Sequence, residues 1–247
     1  MEHAEEFLHR KIQVICCDQN GLVALEKPCG VLSHPNAAGD SERSLLRCHY
    51  DFAKRCYICD SGDSIYLLNR LDSPVSGLVL VSLFRDVALA VEKAFARREV
   101  RKTYVALAKG FPRQRKGIWR SRLRRDVIGK SIRVSTGTGA CAETEYEVEE
   151  SFRSCAVTLS ILSLFPITGR THQLRVHCGQ NGLPIVGDQT YGDQNFNGAF
   201  SKNFGCSRLF LHSEKISLTY EMGGRRFEFA ATSSVKFRES LQNFKKI

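Results

Sequence analysis

The sequence predicts an α+β protein built on a large, mainly antiparallel or mixed central sheet. Three observations carry this expectation: strand-period alternation recurs along the chain, one segment has a clear helical period, and turn signals such as Asn20-Gly21 join neighbouring strands as hairpins. With 247 residues, 43% of them hydrophobic, the chain can bury a sizeable core as one large domain or two intimately packed halves. A boundary between halves is expected near residue 110.

In order, KIQVICCDQNGLVALEKP reads as two strands joined around Asn20-Gly21, followed by the Pro/Gly-punctuated loop Lys27-Pro28-Cys29-Gly30-Val31-Leu32-Ser33-His34-Pro35. Residues 36–63 are polar and weakly patterned, with one short helix expected about 44–53. Residues 65–68 and 78–81 are short apolar runs that read as buried strands flanking a loop with Arg70 and Asp72. Phe84, Val87, Ala88, Val91, Ala94 and Phe95 recur at helical spacing, with Arg85, Asp86, Glu92 and Lys93 facing away, as in an amphipathic helix.

Residues 102–109 alternate Thr103, Val105 and Leu107 against Tyr104, Ala106 and Ala108, as a strand does. Trp119, Ser121 and Leu123 alternate with Arg120, Arg122 and Arg124, which lines one sheet face with guanidinium groups. Glu143, Glu145, Glu147 and Glu149 alternate with Thr144, Tyr146 and Val148 in a half-exposed strand. Another strand is expected from about residue 155 to 164, broken by Pro166-Ile167-Thr168-Gly169-Arg170. Thr171 is the expected N-cap of a helix through Cys178, ended by Gly179 or Gly182.

The formal charge of +10 is unevenly spread. Residues 97–133 hold 14 Lys and Arg against Glu99 and Asp126, so this one segment carries the whole excess. Such clustering fits a surface that neutralises phosphates, as in nucleic-acid binding, or else a solvated face that aids solubility. The 10 cysteines are mostly scattered through apolar segments and read as reduced thiols. Cys56 and Cys59 form a CxxC that could join Cys48 or His49 around zinc, but no second well-spaced pair follows, so no metal is expected. The opening residues lack an apolar signal region and no run is long enough to cross a bilayer, so a soluble, cytoplasmic protein without a membrane partner is expected.

Two stretches could carry chemistry. Asp72, at the end of a buried strand, is either a turn-capping carboxylate or an ionised nucleophile or base held by an arginine. Arg70 projects on the same side in an extended segment and suits both readings. Arg170 sits just before a helix start, where side chain and backbone amides could converge on an anion. His172 and His177 lack the glutamate of an HExxH pattern and read as hydrogen-bonding histidines.

Together these stretches resemble the RluA-type pseudouridine synthases over roughly residues 12–230. Lys27-Pro28-x-Gly30 with His34-Pro35 is similar to the family's first motif, Arg70-Leu71-Asp72-x-x-x-Ser76-Gly77 to its catalytic loop, and VRKTYVA at 100–106 to its tyrosine strand. Thr168-Gly169-Arg170-Thr171-His172-Gln173-Leu174-Arg175-Val176-His177 matches the third motif, continued by Gly182-x-Pro184-x-Val186-Gly187-Asp188 and Leu211-His212. The resemblance implies a pseudouridine synthase fold in two packed halves with an active-site cleft between them. It also implies an N-terminal extension at 1–11, a catalytic domain at 12–235 and a C-terminal tail at 236–247.

The implied reaction breaks the N1 glycosidic bond of a uridine, turns the uracil and rejoins it through C5, which calls for a nucleophile and no cofactor. By resemblance Asp72 is that nucleophile, attacking C1′ of the sugar or adding to the uracil ring, and Arg170 pairs with it to keep it charged. Tyr104 would stack on the flipped uracil and assist proton removal at C5, and Leu174 would line the base pocket. Arg70, Asn69 and Lys27 are expected substrate contacts. From charge alone, Arg120, Arg122 and Arg124 are expected to meet RNA phosphates.

Asn69 stands where the family usually has His, and Val75 where it has Thr. No RNA-binding module is recognisable ahead of residue 12, so target choice is expected to reside in the catalytic domain. The pattern at Tyr191-Gly192-Asp193, Asn195, Phe204-Gly205, Arg208-Leu209 and Leu211-His212 is most like the branch that modifies a tRNA uridine near the acceptor and TΨC stem junction. A monomer acting on tRNA is therefore expected, with rRNA the second target. The readings of another class are a structured-RNA-binding protein without catalysis and an aspartyl-nucleophile hydrolase for small substrates.

Overall fold

Hairpin chemistry shapes the first elements. In the computed structural model, which describes residues 8–37, 39–128, 131–154 and 157–245, β1 (Gln13–Cys17) and β2 (Leu22–Lys27) pair antiparallel with Cys17 opposite Val23. Residues 1–7 of the expected N-terminal extension, the last two of the expected tail and position 155 lie outside the described residues. The Asp18 carboxylate closes the expected turn by accepting from the amides of Asn20 and Leu22, both at 2.9 Å, while Gly21 takes φ +81°.

The chain forms two units: residues up to Val100 with Ser213–Val235, and Arg101–His212 with the residues from Lys236 onward. The division falls at 100/101 rather than near 110, at the start of an unbroken strand, β7 (Val100–Lys109).

In the first unit β2 is buried along its whole length and pairs with β6 (Ser76–Ser82), Val23 opposite Val81. β6 also pairs with β5 (Ser64–Leu67) and neighbours β12 (Leu211–Met222), which pairs with β13 (Arg225–Thr232). Helix α1 (Arg85–Ala96) lays Val87, Ala88, Ala90, Val91 and Ala94 on Leu22, Ala24, Leu78, Leu80, Ile216 and Leu218, as its periodicity predicts. Phe84 does not join that stripe: it is the N-cap residue and is 59% exposed.

The short helix expected about 44–53 does not form. A 3-10 turn covers Ser41–Arg43, and β3 (His49–Asp51) and β4 (Cys56–Ile58) make a hairpin that joins β5. Tyr50 and Tyr57 are the reason: they sit directly opposite across the strands, both buried, with ring centroids 4.9 Å apart. Such a cross-strand aromatic pair stabilises a hairpin that polar flanks obscure in the sequence. Asp51 then caps the turn through the amides of Ala53 and Lys54.

The second unit is an antiparallel sheet in the order β7, β11 (Val157–Pro166), β10 (Ala140–Ser154), β8 (Lys116–Ile128), β9 (Ser131–Thr136). The alternations on β8 and β10 appear as expected, Trp119, Leu123, Thr144, Tyr146 and Val148 being buried while Arg120, Arg122 and Arg124 are exposed. Trp119 stacks on Tyr146 at 4.2 Å. Helix α2 (Gln173–Gln180) packs Val176 against Leu123, Val134 and Ala142. Two further helices, α3 (Gln194–Phe204) and α4 (Phe237–Leu241), were not apparent in the sequence; Phe200 and Phe210 pack there with Phe244.

Glu26 on β2 is buried, and one of its carboxylate oxygens has no hydrogen-bond partner among the described residues, while the other accepts from Ser233 at 2.6 Å. Burial raises its pKa, opposed by the bonds from Ser233 and Ser234 and the charge of Lys27. A raised native pKa costs stability once the pH exceeds the unfolded value. Glu26→Gln should therefore raise the urea midpoint at pH 8 and leave it nearly unchanged at pH 4; equal shifts at both pH values would show that ionisation is not the cause.

Candidate functional site

The loop between β5 and β6 is tied down from its base upward. Leu68 N–H donates to Leu80 O at 3.0 Å, and Asn69 Oδ1 accepts from Leu80 N–H at 2.6 Å, so a side chain extends the ladder past the strand's end. One residue before Asp72, the Ser33 hydroxyl donates to Leu71 O at 2.8 Å and accepts from Leu71 N–H at 3.0 Å. Ser33 is itself held, its carbonyl accepting from the Tyr57 hydroxyl at 2.7 Å. One residue after Asp72, Ser73 O accepts from Gly30 N–H at 2.8 Å and from Lys27 Nζ at 3.2 Å. Asp72 O accepts from Val75 N–H at 3.0 Å, so main chain closes the turn although Val75 lacks a hydroxyl.

Lys27 is not a substrate contact. Its side chain is fully buried, and its ammonium donates to Val31 O at 2.8 Å and Pro28 O at 3.1 Å besides Ser73 O. A buried cation is tolerated only with such compensation, and three carbonyl dipoles supply it. Asn69, read as a substrate contact, likewise spends its oxygen on Leu80 and anchors the loop.

Gly77 follows the loop with φ +114°, and a Cβ there would lie 2.2 Å from Ser213 O, so no side chain fits. Arg70 is exposed, and its guanidinium donates to His34 Nε2 at 2.8 Å. His34 Nδ1 donates to Pro35 O at 2.8 Å, which fixes the neutral tautomer that leaves Nε2 as acceptor. Burial lowers the His34 pKa, with Arg70 and Arg55 adding to the shift and the Pro35 bond opposing it.

In the second unit Gln173 organises the Thr-Gly-Arg turn. Its Oε1 accepts from Arg170 N–H at 3.0 Å and Thr168 Oγ1 at 2.7 Å, and its Nε2 donates to Glu143 O and Thr144 Oγ1, both at 2.9 Å. This replaces the expected capping by Thr171: the N-cap is His172 in the left-handed region, φ 54°. Arg170 is exposed, with Nε donating to Cys141 O at 3.2 Å. Tyr104 on β7 is buried opposite Leu164, and Leu174 is buried on α2.

Arg175 and Asp188 form a bidentate ion pair at 2.8 and 2.9 Å, 6% and 1% exposed. Burial pushes the Asp188 pKa up, but Arg175 and the amides of Tyr191 and Thr190 outweigh it and hold the carboxyl below its usual range. His177 is buried between Ser121 Oγ and Thr144 Oγ1, each at 2.9 Å, and His172 bonds Tyr191, so both act as hydrogen-bonding histidines.

The arginine row on β8 is less positive than its count suggests. Arg120 pairs with Glu143 at 2.6 Å and Arg124 with Asp126 at 2.9 Å, whereas Arg122 donates to Gly139 O at 2.9 Å. Among the described residues no group of three His, Cys, Asp or Glu is placed to hold a metal, and no helix is long and apolar enough to cross a membrane. Cys48 and Cys59 lie 3.5 Å apart as buried thiols, the former raised to about 12 by burial and by Cys59.

Antiparallel units carrying the Arg-Leu-Asp loop and the Thr-Gly-Arg turn define a pseudouridine synthase fold. Two human structures agree at the level of fold: RNA Pseudouridylate Synthase Domain Containing 4 (TM-score 0.65, 20% identity, 98% of this chain and 94% of that chain) and Domain Containing 1 (TM-score 0.64, 20% identity, 96% of each). The chain belongs to the RNA pseudouridylate synthase family, whose sequence pattern matches residues 21–180. Relatives include tRNA pseudouridine synthase C of Haemophilus influenzae, 30% identical over 90% of this chain and 94% of its own length. The dual-specificity RNA pseudouridine synthase RluA of Escherichia coli is 30% identical over 88% and 92%.

Sequence reasoning missed the Ser33 clasp, because a lone serine in a loop has no local signature. Ser33→Ala should orphan the buried amide and carbonyl of Leu71 and cost about 1–3 kcal/mol, read as a lower urea midpoint. An unchanged midpoint would show that Leu71 finds other partners.

Proposed function

We propose that the chain isomerises a uridine of tRNA to pseudouridine with Asp72 as nucleophile. The observation that carries this reading is the fixed backbone on both sides of Asp72, through Ser33 to Leu71 and through Gly30 and Lys27 to Ser73. Covalent catalysis gains from such fixation, because a nucleophile held in one attack geometry has already given up its orientational freedom.

In the reaction the C1′–N1 bond breaks, a C1′–C5 bond forms, and the proton on C5 leaves while one is gained at N1, so no redox partner is needed. Tyr104 takes the role of supporting the uracil and the C5 proton transfer, Arg170 that of offsetting the nucleophile's charge, and Leu174 that of an apolar wall for the base. Arg70, exposed two residues from Asp72, meets the RNA, and Arg120, Arg122 and Arg124 contribute phosphate contacts.

Similarity to tRNA pseudouridine synthase C of Haemophilus influenzae and of Yersinia pestis, over 94% and 86% of their lengths, supports tRNA as the target. Ribosomal RNA is the second reading, supported by the ribosomal large subunit pseudouridine synthase C of Vibrio cholerae, of which this chain covers 54%.

Tritium release from RNA carrying 5-tritiated uridine tests the reading on separate tRNA and rRNA transcripts. Release from tRNA by the wild type and none by Asp72→Asn is the expected outcome; release by both proteins would remove Asp72 from the chemistry. Arg122→Glu should weaken RNA binding and reduce the slope of log affinity against log salt by roughly 0.7–0.9. An unchanged slope would place that strand away from the RNA.

A further inference from the structure

The β3–β4 hairpin lies between the Lys27–Pro35 loop and the Arg-Leu-Asp loop, and Tyr50 and Phe52 form one continuous aromatic group with His34. His34 stacks on Tyr50 with centroids 5.0 Å apart and planes 13° apart, and Phe52 meets both edge-on, at 5.8 Å from His34 and 5.1 Å from Tyr50. Tyr50 is buried, whereas Phe52 at the outer end is 60% exposed. A single exposed apolar residue needs no explanation. This one is different, since the His34 and Tyr50 rings pack against it and leave it open to solvent.

Charge surrounds it. Arg70 is bonded to His34 at 2.8 Å and lies two residues from Asp72. Lys54 and Arg55 follow Phe52, the first 3.7 Å from Asp51 and the second 3.6 Å from Glu92, all four side chains reaching solvent to some degree. An immobilised aromatic face beside a planar guanidinium is what an unpaired nucleobase and its phosphate require, the ring taking the base and the cations the backbone.

We propose that Phe52, backed by His34 and Tyr50 and flanked by Arg70, is a stacking platform for an unpaired base next to the target uridine in substrate RNA. The proposal rests on reading the chain as an RNA pseudouridine synthase. Extruding the target uridine leaves its neighbour without a stacking partner, and Phe52 replaces the lost contact on the protein. The two-residue step from Arg70 to Asp72 spans at most about 7 Å of backbone, so the arginine that flanks the platform belongs to the loop that carries the nucleophile.

The test uses the transcript that releases tritium, with 2-aminopurine placed in turn at the positions flanking the target. In the Asp72→Asn background one flanking 2-aminopurine should stay quenched on binding, and adding Phe52→Ala should brighten it severalfold. In the active enzyme Phe52→Ala and Phe52→Leu should raise KM roughly 5- to 160-fold, the range expected for one lost base–aromatic stack, with a smaller change in kcat. F52W should restore both KM and quenching, and the salt slope should not move, because no phosphate contact is lost. Wild-type KM and quenching in F52A and F52L, on RNA that is still turned over, would overturn the platform alone. Tritium release from no RNA by the wild type would overturn the enzyme reading and the platform with it.

Discussion

The clasp between residues 27–33 and residues 71–73 is the constraint on which the candidate site depends. A loop that leaves a buried strand has backbone amides and carbonyls with no ladder to join, and buried ones must find partners. Here Ser33 satisfies both groups of Leu71, while Gly30 and Lys27 satisfy Ser73, so Asp72 stands between two fixed points. The cost of burying the Lys27 ammonium is offset by the carbonyls that it holds, and this explains why a lysine occupies a position with no access to solvent. Removing either side would leave the carboxylate on a mobile loop.

The second unit solves a similar problem differently. The Thr168–Arg170 turn is shaped by one glutamine, whose amide reaches Thr168, Arg170, Glu143 and Thr144 and thereby ties the turn to β10. Behind it the Arg175–Asp188 pair fixes α2 to the segment that follows, and Asp188 also orders Thr190 and Tyr191. Both units thus use buried polar groups with complete partners to present exposed arginines, Arg70 and Arg170. Breaking such a pair is costly, since an uncompensated buried charge remains.

Much of this was legible in the sequence where periodicity is strong. The helix of Val87 to Ala94, the alternation on β8 and β10 and the hairpin at Gly21 each follow from local pattern. Residues 44–53 misled, because their strand character comes from Tyr50 meeting Tyr57 across a turn, a pairing that no window of single-chain pattern contains. Position in a motif suggested Asp72, Tyr104 and Arg170 as site residues, and it also suggested Lys27 and Asn69 as substrate contacts, whereas Lys27 is buried against three carbonyls and the Asn69 oxygen is bonded to Leu80 N–H. Charge counting overstated the β8 face, since Glu143 and Asp126 sit close enough to Arg120 and Arg124 to offset them.

The first unit draws its last strands, β12 from Ser213 and β13, from a part of the chain made after the whole of Arg101–His212. Gly77 rests against Ser213, and the α1 helix packs on Ile216, Leu218 and Phe229. During synthesis at about 5–20 residues per second, α1 and β6 must therefore wait several seconds with an apolar face and a strand edge uncovered. The five strands of the intervening unit, β7 to β11, lie in one continuous stretch and can pair in that interval, although its last helix, α4, follows Val235. The ribosome thus completes the strands of the unit bearing Arg170 before those of the unit bearing Asp72, and the nascent chain is most exposed to aggregation or to chaperone capture in the interval between them.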